Sequence, residues 1–483
     1  MREKLNKLIE RGVAPYAYRF DRTATAQQAL AAYQADDDPA QYALAGRLVA
    51  LRPHGKTTFA HLADPSGKIQ LYFKGDELGA DVYGLLDLLD LGDHVGVEGR
   101  LMKTRTGEIT LRVARLTLLA KALRPLPLGK EDASGVKHGE LSDPELRSRQ
   151  RYADLAVHPE VREVFRLRTR IVQGIRAFLD AKGYLEVETP VLQPLYGGAA
   201  AVPFKTHYEA LDTTFYLRIA DELYLKRCLV GGLERVYEIG HDFRNEGLSR
   251  FHNPEFTMAE WYQAYADYND MAALTEEMLA GLVMQLFGSS VLERHGATLS
   301  FERPFARKEY YALIREHAGV DLAKAKDQEL RDVLKRHNAA DIENLSGPKL
   351  VDEVFKTCVE PKLVQPTFVF DYPLALSPLA KPKRGDPTKV ERWELFVQHR
   401  ELANAFSELN DPDEQRRRFE QQGALRAAGD REAQQLDEDY LRAMEYGMPP
   451  AGGVGMGVDR LTMILADQTN IRDVILFPML RPE

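Results

Sequence analysis

The segment VYEIGHDFRNEGLSRFHNPEFTMAEWY, residues 236–262, leaves the chain few ways to fold. Two runs of apolar and aromatic residues flank a polar loop containing Gly247 and Pro254, which is the pattern of a β-hairpin. Residues two apart on a strand face the same way. Arg244 and Glu246 are therefore expected on one face, and Phe256, Met258, Glu260 and Tyr262 on one face of the return strand. A face that combines an arginine, carboxylates, a phenyl ring and a phenol is not a core pattern. The guanidinium fork suits a phosphate, and a ring beside it can stack on a base. A surface ladder of ion pairs is the plain alternative; the loop histidine His252 and the two aromatics argue against it.

Two further segments carry the same kind of signal. In WELFVQHRELANAFSELND, residues 393–411, Asn404, Phe406 and Glu408 recur at period two, with Glu394 and Glu401 just upstream. Carboxylates held close together in a cleft need a cation, which Mg²⁺ accompanying a nucleotide would supply. A charged helix face also fits Glu394 to Arg400. In GGVGMGVDRLTMIL, Gly452, Gly453, Gly455 and Gly457 precede Arg460 and an apolar run. Val458 stands where a dinucleotide fingerprint needs its third glycine, and no GxxxxGK[ST] loop occurs anywhere in the chain. The glycines read as a strand that comes very close to a ligand and leads into a helix opening with an arginine.

At 483 residues the chain is too long for one compact core. Cys228 and Cys358 lie far apart with no CxxC pair, which excludes a disulfide framework and a structural zinc site. The opening MREKLNKLIERG lacks the apolar core of a signal peptide, and no run of about 18 apolar residues occurs, so no membrane span and a cytoplasmic location are expected. A net charge of −9 speaks against a surface coated with basic residues for indiscriminate nucleic-acid binding. Locally the balance reverses. Arg100, Lys103, Arg105, Arg112, Arg115, Lys121 and Arg124 face only Glu98 and Glu108, a net of +5.

The periodicity divides the chain into four parts: a helical segment at 1–35, five short strands with a helical gap near Val82–Leu89 at 36–120, a proline-bearing linker at 121–140, and one large domain at 141–483. The five strands fit a small closed barrel of the oligonucleotide-binding (OB) type. The expected fold class is α+β, with that barrel preceding a large antiparallel sheet flanked by helices.

Together, YLEVETPVL, FRNEG with HNPEF, and GGVGMGVDR resemble the three signature motifs of class II aminoacyl-tRNA synthetases, in order. The barrel ahead of them resembles the aspartate, asparagine and lysine subgroup. GGAAAVPF, RIADELYLKR, DYPLALSPLAK, ELANAFSELNDP and IRDVILFP are similar to lysyl-tRNA synthetases. The resemblance runs from the first helix to the C-terminus.

It implies a ligase that activates L-lysine with ATP and charges tRNA(Lys), with Mg²⁺ as cofactor and a homodimer as the assembly. Arg244, Glu246, His252, Asn253, Phe256 and Arg460 would bind ATP, with Glu394 and Glu401 holding the metal. Arg244, Glu246 and Arg460 would act in the chemistry. Gly198, Glu222, Glu260, Tyr262, Asn404, Phe406 and Glu408 would form the lysine pocket, where an ammonium wants acids and an aromatic wall. On the barrel, Arg47, Phe59 and Gln70 would meet the anticodon, and the local +5 stretch the tRNA backbone. Phe251 and Asp221 depart from the family pattern, where Arg or Thr and Pro are usual. A ligase that lysylates a protein and an RNA-binding paralogue without activity are the rival readings. The barrel argues against the first, and the presence of Arg244, Glu401 and Arg460 against the second.

Overall fold

The computed structural model describes residues 1–35, 39–131, 137–340, 342–427 and 435–482. They form two compact units, Met1–Asp143 with Tyr152–Val157, and Pro144–Arg151 with His158–Glu483.

In the first unit, α1 (Arg2–Glu10) and α2 (Ala26–Ala32) precede a closed barrel. Gly12, at φ +73°, lets the chain leave α1. Thr25 and Gln28 cap α2 reciprocally. The barrel strands are β1 (Tyr42–His54), β2 (Thr57–Asp64), β3 (Gly67–Lys74), β4 (His94–Lys103) and β5 (Ile109–Ala120), closed in the order β1-β2-β3-β5-β4. On β2 and β3 the alternation is strict: Ala60, Leu62, Ile69, Leu71 and Phe73 fill the interior, so Phe59, His61, Gln70 and Tyr72 take the outer face. The basic stretch is less available than its composition suggests. Lys121 is buried, with Nζ 2.6 Å from Asp90 and 3.0 Å from Asp93, and Arg112 pairs with Glu77.

Residues 36–38, at the expected start of the barrel region, and 132–136, within the expected linker, lie outside the described residues. The rest of that stretch is not plain linker, because Leu128–Glu131 and Lys137–Glu140 pair as antiparallel strands.

The second unit is built on an eight-stranded sheet. Its strands in chain order are β6 (Leu185–Glu186), β7 (Arg235–Phe243), β8 (Glu255–Ala264), β9 (Ala306–Glu309), β10 (Thr367–Phe370), β11 (Arg392–Val397), β12 (Arg400–Ser407) and β13 (Ala451–Gly457). They lie in the order β9-β10-β11-β12-β13-β8-β7-β6, antiparallel except at the two edge pairs. Helices α3 (Pro159–Ala181) and α5 (Tyr268–Phe287) cover one face, where Ile171, Ile175, Leu179, Leu279 and Leu282 pack with Trp261 and Trp393. Helix α4 (Glu222–Val230) lies between β6 and β7 in the chain, and α6 (Val458–Leu465) follows β13. The YLEVETPVL segment is strand only at β6 and again at Leu192–Gln193. Pro190, with no N–H to donate, falls in the gap between the two short strands.

Candidate active site

Partners in an antiparallel pair lie side by side on one face, and the registers of the central strands line up into rows. One row runs Glu394, Asn404, Gly455, Glu260 and Glu238. The next runs Arg392, Phe406, Gly453, Tyr262 and Val236. The glycines of β13 sit in the middle of each row, so the sheet has a trough there with functional side chains on both banks. At Gly453 a Cβ would collide with Glu408 Oε1 and the Tyr262 ring, so no other residue fits without displacement.

The trough is the floor of a cavity of about 1620 Å³. That exceeds the roughly 300–1,000 Å³ of a typical single-ligand pocket. Gly198, Glu222, Arg244, Glu246, His252, Asn253, Phe256, Glu260, Tyr262, Glu394, Glu401, Asn404, Phe406 and Arg460 all line it; Glu408 does not. One local expectation needs correction. Strand β7 ends at Phe243, so Arg244 and Glu246 sit in the connecting loop, with the Glu246 N–H donating to Arg244 O at 2.8 Å. Strand β12 ends at Ser407, yet the Glu408 N–H still donates to Ala451 O at 2.8 Å and its carboxylate meets Gly453 beside Tyr262, so it shares the face of Asn404 and Phe406 while being fully buried.

One end of the cavity is cationic. The Arg244 guanidinium lies 5.0 Å from the Phe256 ring centroid. Arg460, in the first turn of α6, donates to Glu401 O at 2.7 Å and lies 3.3 Å from Glu401 Oε2. Arg400 packs on Phe251, 4.1 Å from its ring centroid, which gives the departing residue a definite contact. Asn253 ties the loop base down, donating to Glu255 O at 2.6 Å and accepting from the Met479 N–H at 3.2 Å. His252 Nδ1 pairs with the Ser249 hydroxyl at 2.9 Å.

Beside these cations stand two acids. Burial pushes Glu394 up to about 7; Arg392 opposes that and the Glu401 charge adds to it. Partial burial works to raise Glu401, but Arg460, Arg392 and Arg244 outweigh it and hold the carboxyl low. Arg392 organises this wall: it pairs with Glu394, donates to Asn404 Oδ1 at 2.9 Å and lies over the Phe406 ring.

The other end is acidic. Tyr262 donates to Glu260 Oε2 at 3.1 Å. Glu260, which lines the cavity, comes within 4.8 Å of the carboxylates of Asp221 and Asp242, which are buried and do not line it. Burial raises all three; the Asp242 charge adds to it at Asp221 and Glu260, while at Asp242 itself Arg244 and Arg218 oppose it and Glu238 adds to it. Arg218 meets Asp221 at 2.7 Å and Asp242 at 3.3 Å, yet it also serves Glu238, so the acids outnumber it. Such a cluster attracts a cation. The loop at Gly198, φ +89°, packs tightly on this wall: a Cβ there would approach Ala220 Cβ to 3.0 Å and Glu222 Cβ to 3.2 Å.

Sequence reasoning missed Arg392, Asp242 and Lys226. Arg392 was legible as the residue two before Glu394 in an alternating run, and Lys226 as one helical turn after Glu222. Asp242 had no local signal, since its companions come from α4 and β8.

On the barrel, Phe59 and Tyr72 are directly paired, with ring centroids 5.0 Å apart. Gln70 donates to Glu108 at 2.6 Å and accepts from Thr110 at 2.7 Å. Arg47 pairs with Ala63 and so faces the same side as His61 and Phe59. His61 and Tyr72 extend this surface beyond the three residues singled out in the sequence.

Residues 143–481 match the model of class II tRNA synthetases (D, K and N), and residues 42–119 that of the OB-fold nucleic acid binding domain. The lysine–tRNA ligase of Carboxydothermus hydrogenoformans is 52% identical over 481 residues, 99% of this chain and 97% of that protein. That of Moorella thermoacetica is 52% identical over 482 residues, 100% of this chain and 97% of that protein. That of Halalkalibacterium halodurans is 48% identical, covering 99% of this chain and 96% of that protein. The chain belongs to the lysine–tRNA ligase family of class II tRNA synthetases.

Proposed function

We propose that the chain uses ATP to convert L-lysine to lysyl-adenylate and then transfers the lysyl group to the 3′ end of tRNA(Lys). The observation that carries this reading is the polarity of one cavity. Its cationic end, with Arg244, Arg400 and Arg460, suits a triphosphate, and its acidic end, with Glu222 and Glu260, suits an amino acid with two ammonium groups. Aspartate would meet repulsion there. Barrel and site occur together, which favours tRNA over a protein as the acyl acceptor.

In the first step a lysine carboxylate oxygen bonds to the α-phosphorus of ATP and the bond to the bridging oxygen breaks, releasing pyrophosphate. No general base is required, because the nucleophile is already an anion. Arg244 draws charge from the phosphorus centre, and Phe256 with Arg460 flanks the base. Glu246, His252 and Asn253 shape the loop over the nucleotide. Glu260 and Tyr262 orient the α-ammonium, with Gly198 closing over it, and Asn404 and Phe406 form the side wall. In the second step a hydroxyl of the tRNA terminal adenosine attacks the acyl carbon and AMP leaves.

Glu394 and Glu401 fit an Mg²⁺ ion that accompanies the triphosphate. They form a like-charged pair whose repulsion, felt in the raised Glu394 carboxyl, a divalent ion relieves. When bound, the ion neutralises charge on the phosphates. Leu185, Val191 and Leu192 are exposed apolar side chains around β6, a surface that a second copy of the chain would cover in a homodimer. Arg47, Phe59 and Gln70 would meet the anticodon. No helix among the described residues is long and apolar enough to cross a membrane. Pyrophosphate exchange with each amino acid tests the proposal: exchange that depends on lysine supports it, and exchange driven equally by aspartate or asparagine overturns it.

A further inference from the structure

Helix α4 places Glu222 and Lys226 one turn apart on the same face. The Lys226 Nζ lies 2.5 Å from Glu222 Oε1 and 2.5 Å from Glu408 Oε2. Lys226 and Glu408 have no exposed surface, while Glu222 reaches the cavity wall. An ammonium of the chain itself is thus sandwiched between the two acids that the resemblance assigns to the substrate side chain. A buried cation is tolerated only with close counter-charges. Burial works against its charged form, and Glu222 with Glu408 outweighs that and raises it.

We propose that Lys226 is a specificity-determining positioning residue: by bridging Glu222 and Glu408 it cancels one of their two charges, so the side-chain pocket accepts one further ammonium and no more. The inference rests on lysine being the substrate. With both acids ionised, two carboxylates and one resident ammonium leave a net charge of −1, and the substrate ε-ammonium brings the closed pocket to neutrality. A neutral side chain of similar length leaves the negative charge buried and unpaired, which low-dielectric surroundings penalise heavily. Lys226 also fixes where that charge sits. With Glu408 held from behind by Lys226, Glu222 is left as the acid of the pair that faces the ligand.

This charge count predicts a pattern that a purely structural lysine does not. Glu408→Gln leaves the pocket neutral before substrate arrives. Lys226→Met, with one of the two adjacent acids keeping a proton, still carries a net charge of −1 but frees Glu222 and Glu408 from the ammonium that holds both, so it tests the positioning and Glu408→Gln the charge. Either change should raise the lysine KM at least about tenfold, with the ATP KM within about twofold of wild type. The double variant K226M/E408Q restores a net charge of −1, carried by Glu222 beside an uncharged amide at position 408. Its lysine KM should fall below that of Glu408→Gln alone.

Pyrophosphate exchange kinetics of wild type and the three variants decide the matter, with circular dichroism confirming that each is folded. Should Lys226→Met fail to fold, the comparison of Glu408→Gln with the double variant still decides. A double variant no better than Glu408→Gln, or a folded Lys226→Met with wild-type lysine KM, overturns the inference while wild-type exchange still depends on lysine. A wild type without lysine dependence overturns the substrate reading itself, and this inference with it.

Discussion

Arg244 stands at the junction of strand and loop with its guanidinium against Phe256, and that placement sets what its loss should do. A cation aimed at developing charge contributes roughly 10²–10³ in rate in comparable oxyanion sites. Arg244→Ala should therefore lower lysine-dependent pyrophosphate exchange by about 10²-fold or more, and a rate within threefold of wild type would sink its assignment. Glu408 supplies a pH test. Burial pushes its carboxyl up to about 8, with Lys226 opposing and Glu222 adding to the rise. Lys226 and Glu222 of α4, with Tyr262 and Tyr440, are the titratable groups that feel its charge. Below that pH Glu408 holds a proton, and the pocket with Glu222 and Lys226 is neutral. Above it the pocket carries the negative charge that an ε-ammonium needs. The lysine KM should then fall as pH rises from 6 toward 8, by a slope approaching tenfold per unit, while the ATP KM stays level. A lysine KM that is flat with pH in wild type, or equally steep in Glu408→Gln, would remove Glu408 from the binding equilibrium.

At the scale of elements, the glycines of β13 allow a graded test. A Cβ at Gly455 would come within 3.2 Å of Met258 Cε, the free end of a flexible side chain, whereas at Gly453 it meets a buried carboxylate and a phenol ring. Overpacking of the second kind costs roughly 1–3 kcal/mol. Gly453→Ala should accordingly lower Tm by several degrees more than Gly455→Ala does, and equal melting temperatures would show that the floor relaxes freely. This strand also marks the limit of what sequence can reveal. Its glycines, the period-two run through Phe256, Glu260 and Tyr262, and the five alternating barrel strands were all legible, because each is a local pattern. The rows that place Asn404 against Gly455 and Glu260 were not, since they depend on register between strands far apart in the chain. Lys226 had a local signal in Glu222 one turn earlier, but a lysine in a helix usually points to water, and only the approach of Glu408 from a separate element draws it inside.

At the scale of the whole molecule, the two units have separate hydrophobic cores, one around Leu71, Phe73 and Val97 and one around Trp261 and Trp393. Damage to the outer face of the barrel should leave the chemistry of the second unit intact. Phe59 is the right probe, since it lies on that outer face against Tyr72 and not among the packed residues of the barrel interior. Its removal should therefore leave the barrel folded. A base stacked on such a ring is worth roughly 1–3 kcal/mol, which at about 1.4 kcal/mol per tenfold corresponds to a loss of about 5- to 150-fold in tRNA affinity. Phe59→Ala should thus raise the KM for tRNA in aminoacylation by that factor and leave pyrophosphate exchange without tRNA near the wild-type rate. The loss should persist across salt concentrations, because stacking, unlike phosphate contacts, releases no counterions. If exchange and charging fall together, the barrel supports the fold of the chain and does not read the anticodon. If neither changes, the tRNA is bound by some surface other than the Phe59 face.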